Sequence, residues 1–344
     1  MNATMSLKKI DHFSVMLDQI LSIITPQHGG TFIDCTFGAG GYSKAILKYP
    51  NTKVIAFDRD KSVKHFSRAL EEQYRNRFKF YTEKFSTLNS FVKKDVSIKA
   101  IIFDLGFSLM QIKNLDRGFS FESKGPLDMR MGINKFSAHD VLNKLNQNQI
   151  STILKYFGDE KDHKKIAFQL ARLRKNNKIL STDDFVGIVK KVKKNNNFAK
   201  KNVATKSLQA IRIFVNNEIS ELIKGLIEAT KLLNPGAILI VVSFHSLEDK
   251  IVKYFFRTYS EKSKNPSRYF PKLDKEDIRL FDCPIRKSIN PSEKEILINH
   301  PSRSAKLRYG IRNNKKYFFP NKLTEKFKNY LEIEGMGSHL WETF

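Results

Sequence analysis

The sequence predicts an α/β protein, a parallel sheet covered by helices and interrupted by a mostly helical insert. Three observations carry this expectation. Short β-type apolar runs alternate with helix-spaced stretches through the first hundred residues, the pattern of consecutive βα units. A further apolar run, AILIVVSF at 237–244, follows the helix-stop signal Asn234-Pro235-Gly236. Roughly 130 residues separate that run from its predecessor, where one crossover needs about 30, so something near 90 residues long is inserted in the sheet.

The strands are expected at 31–34, 53–58, 78–81 and 99–105, with helices at 42–48 and 62–74 between them; Val63, Phe66 and Leu70 keep helical spacing in the second. The insert opens on a Gly/Arg/Phe-rich loop from Asp116 (DRGFSFESKGPLDMRM) and continues with helices near 138–156, 160–175 and 182–194. Leu208, Ile211, Val215, Ile219, Leu222, Leu226 and Leu233 form one apolar stripe, which predicts a single long crossover helix into the fifth strand. A helix from His245 to about Tyr259, a Lys/Pro/Ser-rich stretch to about Pro301 and a closing strand at 305–311 follow. The sheet domain is therefore expected in two parts, 1–110 and 205–312, around an insert at 111–204, with a basic aromatic tail at 313–344 to which the sequence assigns no role.

Composition narrows the function. The 344 residues are 41% hydrophobic and 12% aromatic, enough to build real cores although 28% are charged. Sixty-one basic against 35 acidic residues give +26, a field that attracts polyanions such as nucleic acid or an anionic membrane surface. Forty-five of the basic residues are Lys and 16 Arg, so part of the charge is compositional background. Two cysteines, Cys35 and Cys283, make neither a disulfide framework nor a CxxC metal knuckle. With no apolar run approaching 18 residues and no signal-peptide core at the N-terminus, the expectation is a cytoplasmic protein that does not span a membrane.

The candidate chemistry gathers at strand ends. Asp34-Cys35-Thr36-Phe37-Gly38-Ala39-Gly40-Gly41-Tyr42-Ser43 follows the first strand, and glycines at such a turn let backbone approach a ligand at a helix N-terminus. Asp58, 20 residues after Gly38, is placed to bind both hydroxyls of a ribose. No G-x-x-x-x-G-K-[ST] run accompanies them, which leaves S-adenosylmethionine or a dinucleotide as the adenosine-containing cofactor. Asp104-Leu105-Gly106-Phe107-Ser108 ends the fourth strand, where an acidic side chain faces a cofactor or accepts a hydrogen bond from an amine being modified. Phe85, as an adenine platform, and Gln111 border the same edge, and His245 ends the fifth strand beside them.

HFSVML at 12–17, the DCTFGAGGYS loop, FDRD at 57–60, DLGFS, RGFSF, GPLDMRM, ATKSLQAIRIFVNNEI, SFHSLEDKIVK and HPSRSAKLR occur in the order of the ribosomal RNA small subunit methyltransferase H family, which the chain resembles over about residues 8–312. The resemblance implies a Rossmann-like S-adenosylmethionine-dependent methyltransferase with an inserted helical domain. It further implies methylation of the N4 amine of a cytidine in the decoding region of 16S rRNA, within the small ribosomal subunit. The family's cofactor contacts fall on Gly40, Gly41, Tyr42, Asp58, Phe85, Asp104 and Gln111. Many members carry His where Tyr42 stands, DLGFSLMQ replaces the commoner DLGVSSPQ, and everything after Arg312 lies outside the resemblance.

The exocyclic amine of cytosine is a poor nucleophile because its lone pair is delocalised into the ring. It must be held in line with the methyl group and hydrogen-bonded in its pyramidal form, and the base must leave its stack to be reached. Asp104 is the candidate that polarises the amine and His245 the second catalytic candidate, with no metal required. From 185 to 217 there is no acidic residue, while Lys190, Lys191, Lys193, Lys194, Lys200, Lys201, Lys206 and Arg212 supply eight positive charges for RNA phosphates. Arg117, Phe119 and Arg130 are candidates for stacking on unpaired bases. Three other classes share some of these features. A dinucleotide-dependent oxidoreductase leaves the +26 charge and the blocks beyond the sheet unexplained. A non-catalytic rRNA-binding or ribosome-assembly protein would retain the fold without the chemistry. A DNA amino-methyltransferase usually shows [DNS]-P-P-[YF] where this chain has Asp104-Leu105-Gly106-Phe107, so DNA is not the expected partner.

Overall fold

The computed structural model describes residues 14–93, 95–121, 123, 125–193, 202–260 and 278–339. Seven strands form one sheet: β1 (Gly30–Asp34), β2 (Thr52–Phe57), β3 (Phe78–Tyr81), β4 (Ile98–Asp104), β5 (Ile238–Ser243), β6 (Phe281–Asp282) and β7 (Lys306–Arg312), in the order β3-β2-β1-β4-β5-β7-β6. The first five pair in parallel; β7 runs antiparallel to β5, and β6 antiparallel to β7. The fold is thus the expected Rossmann-like α/β sheet. Its centre is apolar on both faces because helices cover both, as parallel strands require; Ala100, Ile101, Ile102 and Phe103 of β4 are all fully buried. The strand order reverses direction between β1 and β4, so Asp34 and Asp104 end adjacent strands at the switch point where open α/β sheets hold ligands.

The helices are α1 (Leu17–Ile24), α2 (Gly41–Leu47), α3 (Lys64–Gln73) and α4 (Leu88–Phe91) in the first half. Between β4 and β5 come α5 (Leu109–Lys113), α6 (Ala138–Lys144), α7 (Gln147–Gly158), α8 (His163–Leu173), α9 (Thr182–Lys193), α10 (Thr205–Asn216) and α11 (Glu218–Leu232). Beyond β5 lie α12 (Ser246–Ser260), α13 (Glu293–Ile298), α14 (Asn321–Lys326) and α15 (Lys328–His339). One apolar cluster, on the face of α1, α2 and α3, holds Phe32, Val54, Ile102 and Ile240. The other face packs Ile33, Ile101, Phe103 and Val241 in a cluster that continues without a break through α6–α11.

Two expectations need correction. The stripe from Leu208 to Leu233 is not one helix: Asn217 adopts φ 49°, ψ 41° and divides it into α10 and α11. Asn tolerates the left-handed region better than other non-glycine residues, and the stripe survives because both helices bury it. The expected helix at 138–156 likewise breaks after Lys144, where Asn146 and Gln149 form a reciprocal capping box that starts α7.

Residues 313–339 of the tail fold onto this framework. Leu323 and Phe327 are buried in the larger cluster. From α15, the buried Glu334 accepts the Ile219 N–H at Oε1 (3.0 Å) and the Ser220 N–H at Oε2 (2.7 Å). These are first-turn donors of α11 that Asn217, in its left-handed conformation, does not cap. Among the described residues no helix is long and apolar enough to cross a membrane.

Candidate active site

A cleft of about 360 Å³ opens at the carboxyl ends of β1, β2, β4 and β5, lined among others by Gly41, Tyr42, Asp58, Phe85, Asp104, Gln111 and His245. Six of the seven expected cofactor residues and both catalytic candidates therefore meet in one place. Gly40 is the exception among the lining residues and serves the turn instead. It N-caps α2 at φ 79°, and a Cβ there would come within 2.8 Å of the Phe37 ring. At Gly41 a Cβ would overlap Ser14 Oγ at 1.7 Å, so this glycine lets the N-terminal segment cross the start of α2. The buried Tyr42 pins that crossing by donating its hydroxyl to the Val15 carbonyl.

The carboxylates differ in what satisfies them. Asp58 accepts the Gly38 N–H at Oδ2 and the Asp60 N–H at Oδ1, both at 2.8 Å, which orients it and leaves a lone pair on each oxygen. Burial outweighs these bonds and holds its pKa up at about 6. Asp34, beneath the loop, accepts from Ser43 Oγ at 2.7 Å and is raised to about 6 by burial. Asp104 is pushed up to about 8, first by burial and then by the charge of Asp34. Its backbone N–H is anchored on Thr36 Oγ1 at 2.8 Å, but its buried Oδ1 has no hydrogen-bond partner among the described residues. A neutral carboxyl with one oxygen unspent is a receptor for a hydrogen-bond donor or a cation.

His245 sits in a charge network that the sequence did not disclose. Its Nε2 lies 3.1 Å from Glu248 Oε1 and 3.9 Å from Glu218 Oε2. Burial works against the charged ring, but Glu248 and Glu218 prevail and hold its pKa up at about 9. Glu218, the first residue of α11, receives both arms of Arg212 at 2.8 and 2.9 Å. Against the cost of burial, Arg212 and His245 keep it at about 2. Glu218, His245 and Glu248 offer ligand atoms within 4.8 Å of one another, a spacing that admits a metal ion. Both oxygens of Glu218 are already engaged by Arg212, however, so the chemistry of the donor set is that of a neutralised ion network.

The other residues form a wall. The Arg212 guanidinium lies 4.7 Å above the Phe107 ring, Phe107 stacks on Phe119 at 5.4 Å and 9°, and Arg117 reaches over Phe119 at 5.9 Å. Arg117 also pairs with Asp60 and donates to the Arg130 carbonyl at 2.9 Å. Gln111 donates to Asp60 Oδ2 at 2.8 Å and accepts from the Ser108 N–H at 3.0 Å. Phe85 meets Phe103 edge-on at 5.1 Å, with one side towards the cleft. The buried Asn216 ties the GPLDMRM loop to α10, accepting the Met131 N–H and donating to the Met129 carbonyl, each at 2.7 Å.

Several expected RNA contacts are spent within the fold. Lys193 is bound to the buried Glu160 at 2.7 Å and to the Val203 carbonyl at 2.9 Å. Arg212 belongs to the cleft and not to the lysine run. Arg130 folds back on Asp128, with contacts of 2.7 and 2.9 Å, and Phe119 is stacked as described. Lys190 and Lys191 are exposed on α9, whereas Lys194, Lys200 and Lys201 lie outside the described residues. Glu218, Glu221, Glu248 and Phe107 were missed as site residues. The left-handed Asn-Asn-Glu break and the SFHSLED block were the signals available for the first and third.

A Rossmann-like sheet with a glycine turn and acidic strand ends at its switch point defines the class of α/β proteins that bind nucleoside-containing ligands. The profile of the MraW methylase family matches residues 9–312, and the chain belongs to that family. It is 40% identical over 303 residues to the ribosomal RNA small subunit methyltransferase H of Ehrlichia canis, covering 86% of this chain and 98% of that protein. The protein of the same name from Rickettsia africae is 41% identical over 305 residues, covering 86% and 96%. A solved rRNA methylase from Streptococcus thermophilus aligns over 86% of this chain and 96% of its own at 12% identity and a TM-score of 0.37, a likeness too loose to carry residues across. The family match ends before α14 and α15.

Proposed function

We propose that this chain transfers a methyl group from S-adenosylmethionine to the N4 amine of a cytidine in the decoding region of 16S rRNA, acting on the small ribosomal subunit. Membership of a methylase family and the names of its relatives support the reaction class and the RNA. The observation that carries the reading is Asp104: a buried carboxyl at the switch point, raised to about 8, with Oδ1 unpartnered among the described residues. The residues fit the donor. Asp58 keeps acceptor capacity for ribose hydroxyls, and Phe85, in the cleft lining, offers an apolar surface to an adenine.

When bound, the donor supplies an electrophilic methyl group on a cationic sulfur. Asp104 Oδ1 accepts one N4–H of the flipped base, which favours the pyramidal nitrogen and fixes its line of approach. Transfer leaves a surplus proton on the amine, which Asp104, ionised by the positive charge of a bound donor, would take up at Oδ1. His245, held cationic at neutral pH, is a poor general base; it orders Glu218 and Glu248 behind the wall of Arg212, Phe107 and Phe119. The helical segment 111–204 is assigned to rRNA contact. The test exposes small subunits from cells lacking this chain to the protein and labelled donor, with the modified nucleotide mapped by mass spectrometry. Binding without transfer would favour a non-catalytic assembly protein, and label on another atom or base would overturn the N4-cytidine assignment.

A further inference from the structure

We infer that the insert carries a second groove that holds one unpaired nucleotide of the RNA, separate from the base that enters the cleft. The inference rests on the rRNA reading above. The groove, of about 520 Å³, is lined by Gln147, Lys164, Lys165, Phe168, Gln169 and Lys191, none of which lines the cleft. It lies on the outer side of α8 and α9, whose inner residues Ile166, Ala167, Leu170, Val186 and Val189 are buried.

Each part of the groove matches one part of a nucleotide. Phe168 is 52% exposed on the polar side of α8, although its neighbours Ile166, Ala167 and Leu170 already fill that helix's share of the core. A lone exposed aromatic is ordinary. Here it stands between exposed ammonium groups, Lys164 and Lys165 on its own helix and Lys191 on the next. Lys165 is held by an exposed contact to Asp162 at 3.6 Å, which solvent weakens. Gln147 and Gln169 complete the polar lining. A base stacks on the ring, and the flanking phosphates lie against the lysines. An acidic peptide would use the lysines but leave the ring without a role.

The test uses the full chain, a fluorescein-labelled single-stranded fragment of the decoding-region RNA, and intact small subunits. Phe168→Ala should weaken binding of the fragment about 5- to 160-fold, the range for loss of one stacked base. It should raise KM for subunits with kcat unchanged, and Phe168→Trp should restore both. Joint replacement of Lys164, Lys165 and Lys191 by Gln should lower the slope of log K against log salt by about two, at roughly 0.7 per phosphate contact on single strands. Phe168 is exposed, so an unchanged melting midpoint verifies that the variants fold. Fragment binding and KM within twofold of wild type for Phe168→Ala, or equal competition by poly-glutamate, would overturn the inference. Fragment binding is read without the methyl donor. Loss of methyl transfer in the wild type with groove-dependent binding intact would sink only the enzymatic reading, and transfer insensitive to the Phe168 variants only the groove.

Discussion

Replacing Glu334 by Ala is expected to destabilise the protein by about 2 to 4 kcal/mol, because two first-turn N–H groups of α11 lose their acceptor. A hydrogen bond to a neutral group contributes roughly 0.5 to 1.5 kcal/mol, leaving a buried donor without its acceptor costs roughly 1 to 3, and loss of a helix cap typically costs about 1. The bonds are the 3.0 and 2.7 Å contacts to Ile219 and Ser220, made by a buried side chain that water replaces poorly. Glu334→Gln keeps one acceptor oxygen and should cost about half as much. The pH dependence has a defined sign. Burial raises the folded carboxyl from 4.5 to about 8, so its contribution is fully present below the unfolded value and is lost as pH rises through 8. The advantage of wild type over Glu334→Gln should therefore be larger at pH 5 than at pH 8.5. Urea unfolding followed by far-ultraviolet circular dichroism at both pH values measures it. An Ala variant within about 0.5 kcal/mol of wild type, the scatter of ordinary surface substitutions, would refute the capping argument. So would an advantage that grows with pH. Because Glu218 begins the same helix and holds Arg212, the Ala variant should also raise KM more than it lowers kcat.

Three further outcomes follow from the cleft. Asp104→Asn should lower kcat by at least about a hundredfold, the usual contribution of a positioned proton acceptor; wild-type transfer at equal donor affinity would remove Asp104 from the chemistry. Binding a cationic donor at pH 7 should release protons, since Asp104 at about 8 is largely neutral beforehand and a neighbouring positive charge favours its ionised form. Calorimetry in two buffers of different ionisation enthalpy reads the release, and identical apparent enthalpies would refute it. Arg212→Lys should impair activity even though charge is kept, because the two-armed grip on Glu218 and the guanidinium face over Phe107 are both lost. Reduced donor or RNA affinity in a variant that keeps the wild-type far-ultraviolet circular dichroism, with a lowered melting midpoint from the weakened buried pair, is the expected signature, and unaltered kinetics would show the wall to be inert.

Much of the fold was legible because its signals are local. Apolar runs, turn residues and the Asn-Pro-Gly stop located five parallel strands and the closing antiparallel one to within two residues at each end. The two misread helices share one cause. Apolar periodicity continues across a left-handed Asn or a capping Asn when both flanking helices face the same core, so the break is invisible to the stripe. β6, two residues long, carries no periodicity at all.

Local chemistry was likewise enough to bring Asp58, Asp104 and His245 forward, since a polar residue at a strand end in an α/β sheet is a site candidate by position. Pairing and burial were not legible, because they join groups far apart in the chain. Lys193 looked like one more solvated lysine until Glu160, 33 residues away, claimed it. Arg212 counted as a phosphate contact until Glu218 and Phe107 enclosed it. The tail offered no motif, yet Glu334 caps a helix 115 residues earlier that forms one wall of the cleft. Backbone periodicity is written residue by residue, whereas the fate of each charge depends on which partner folding buries beside it.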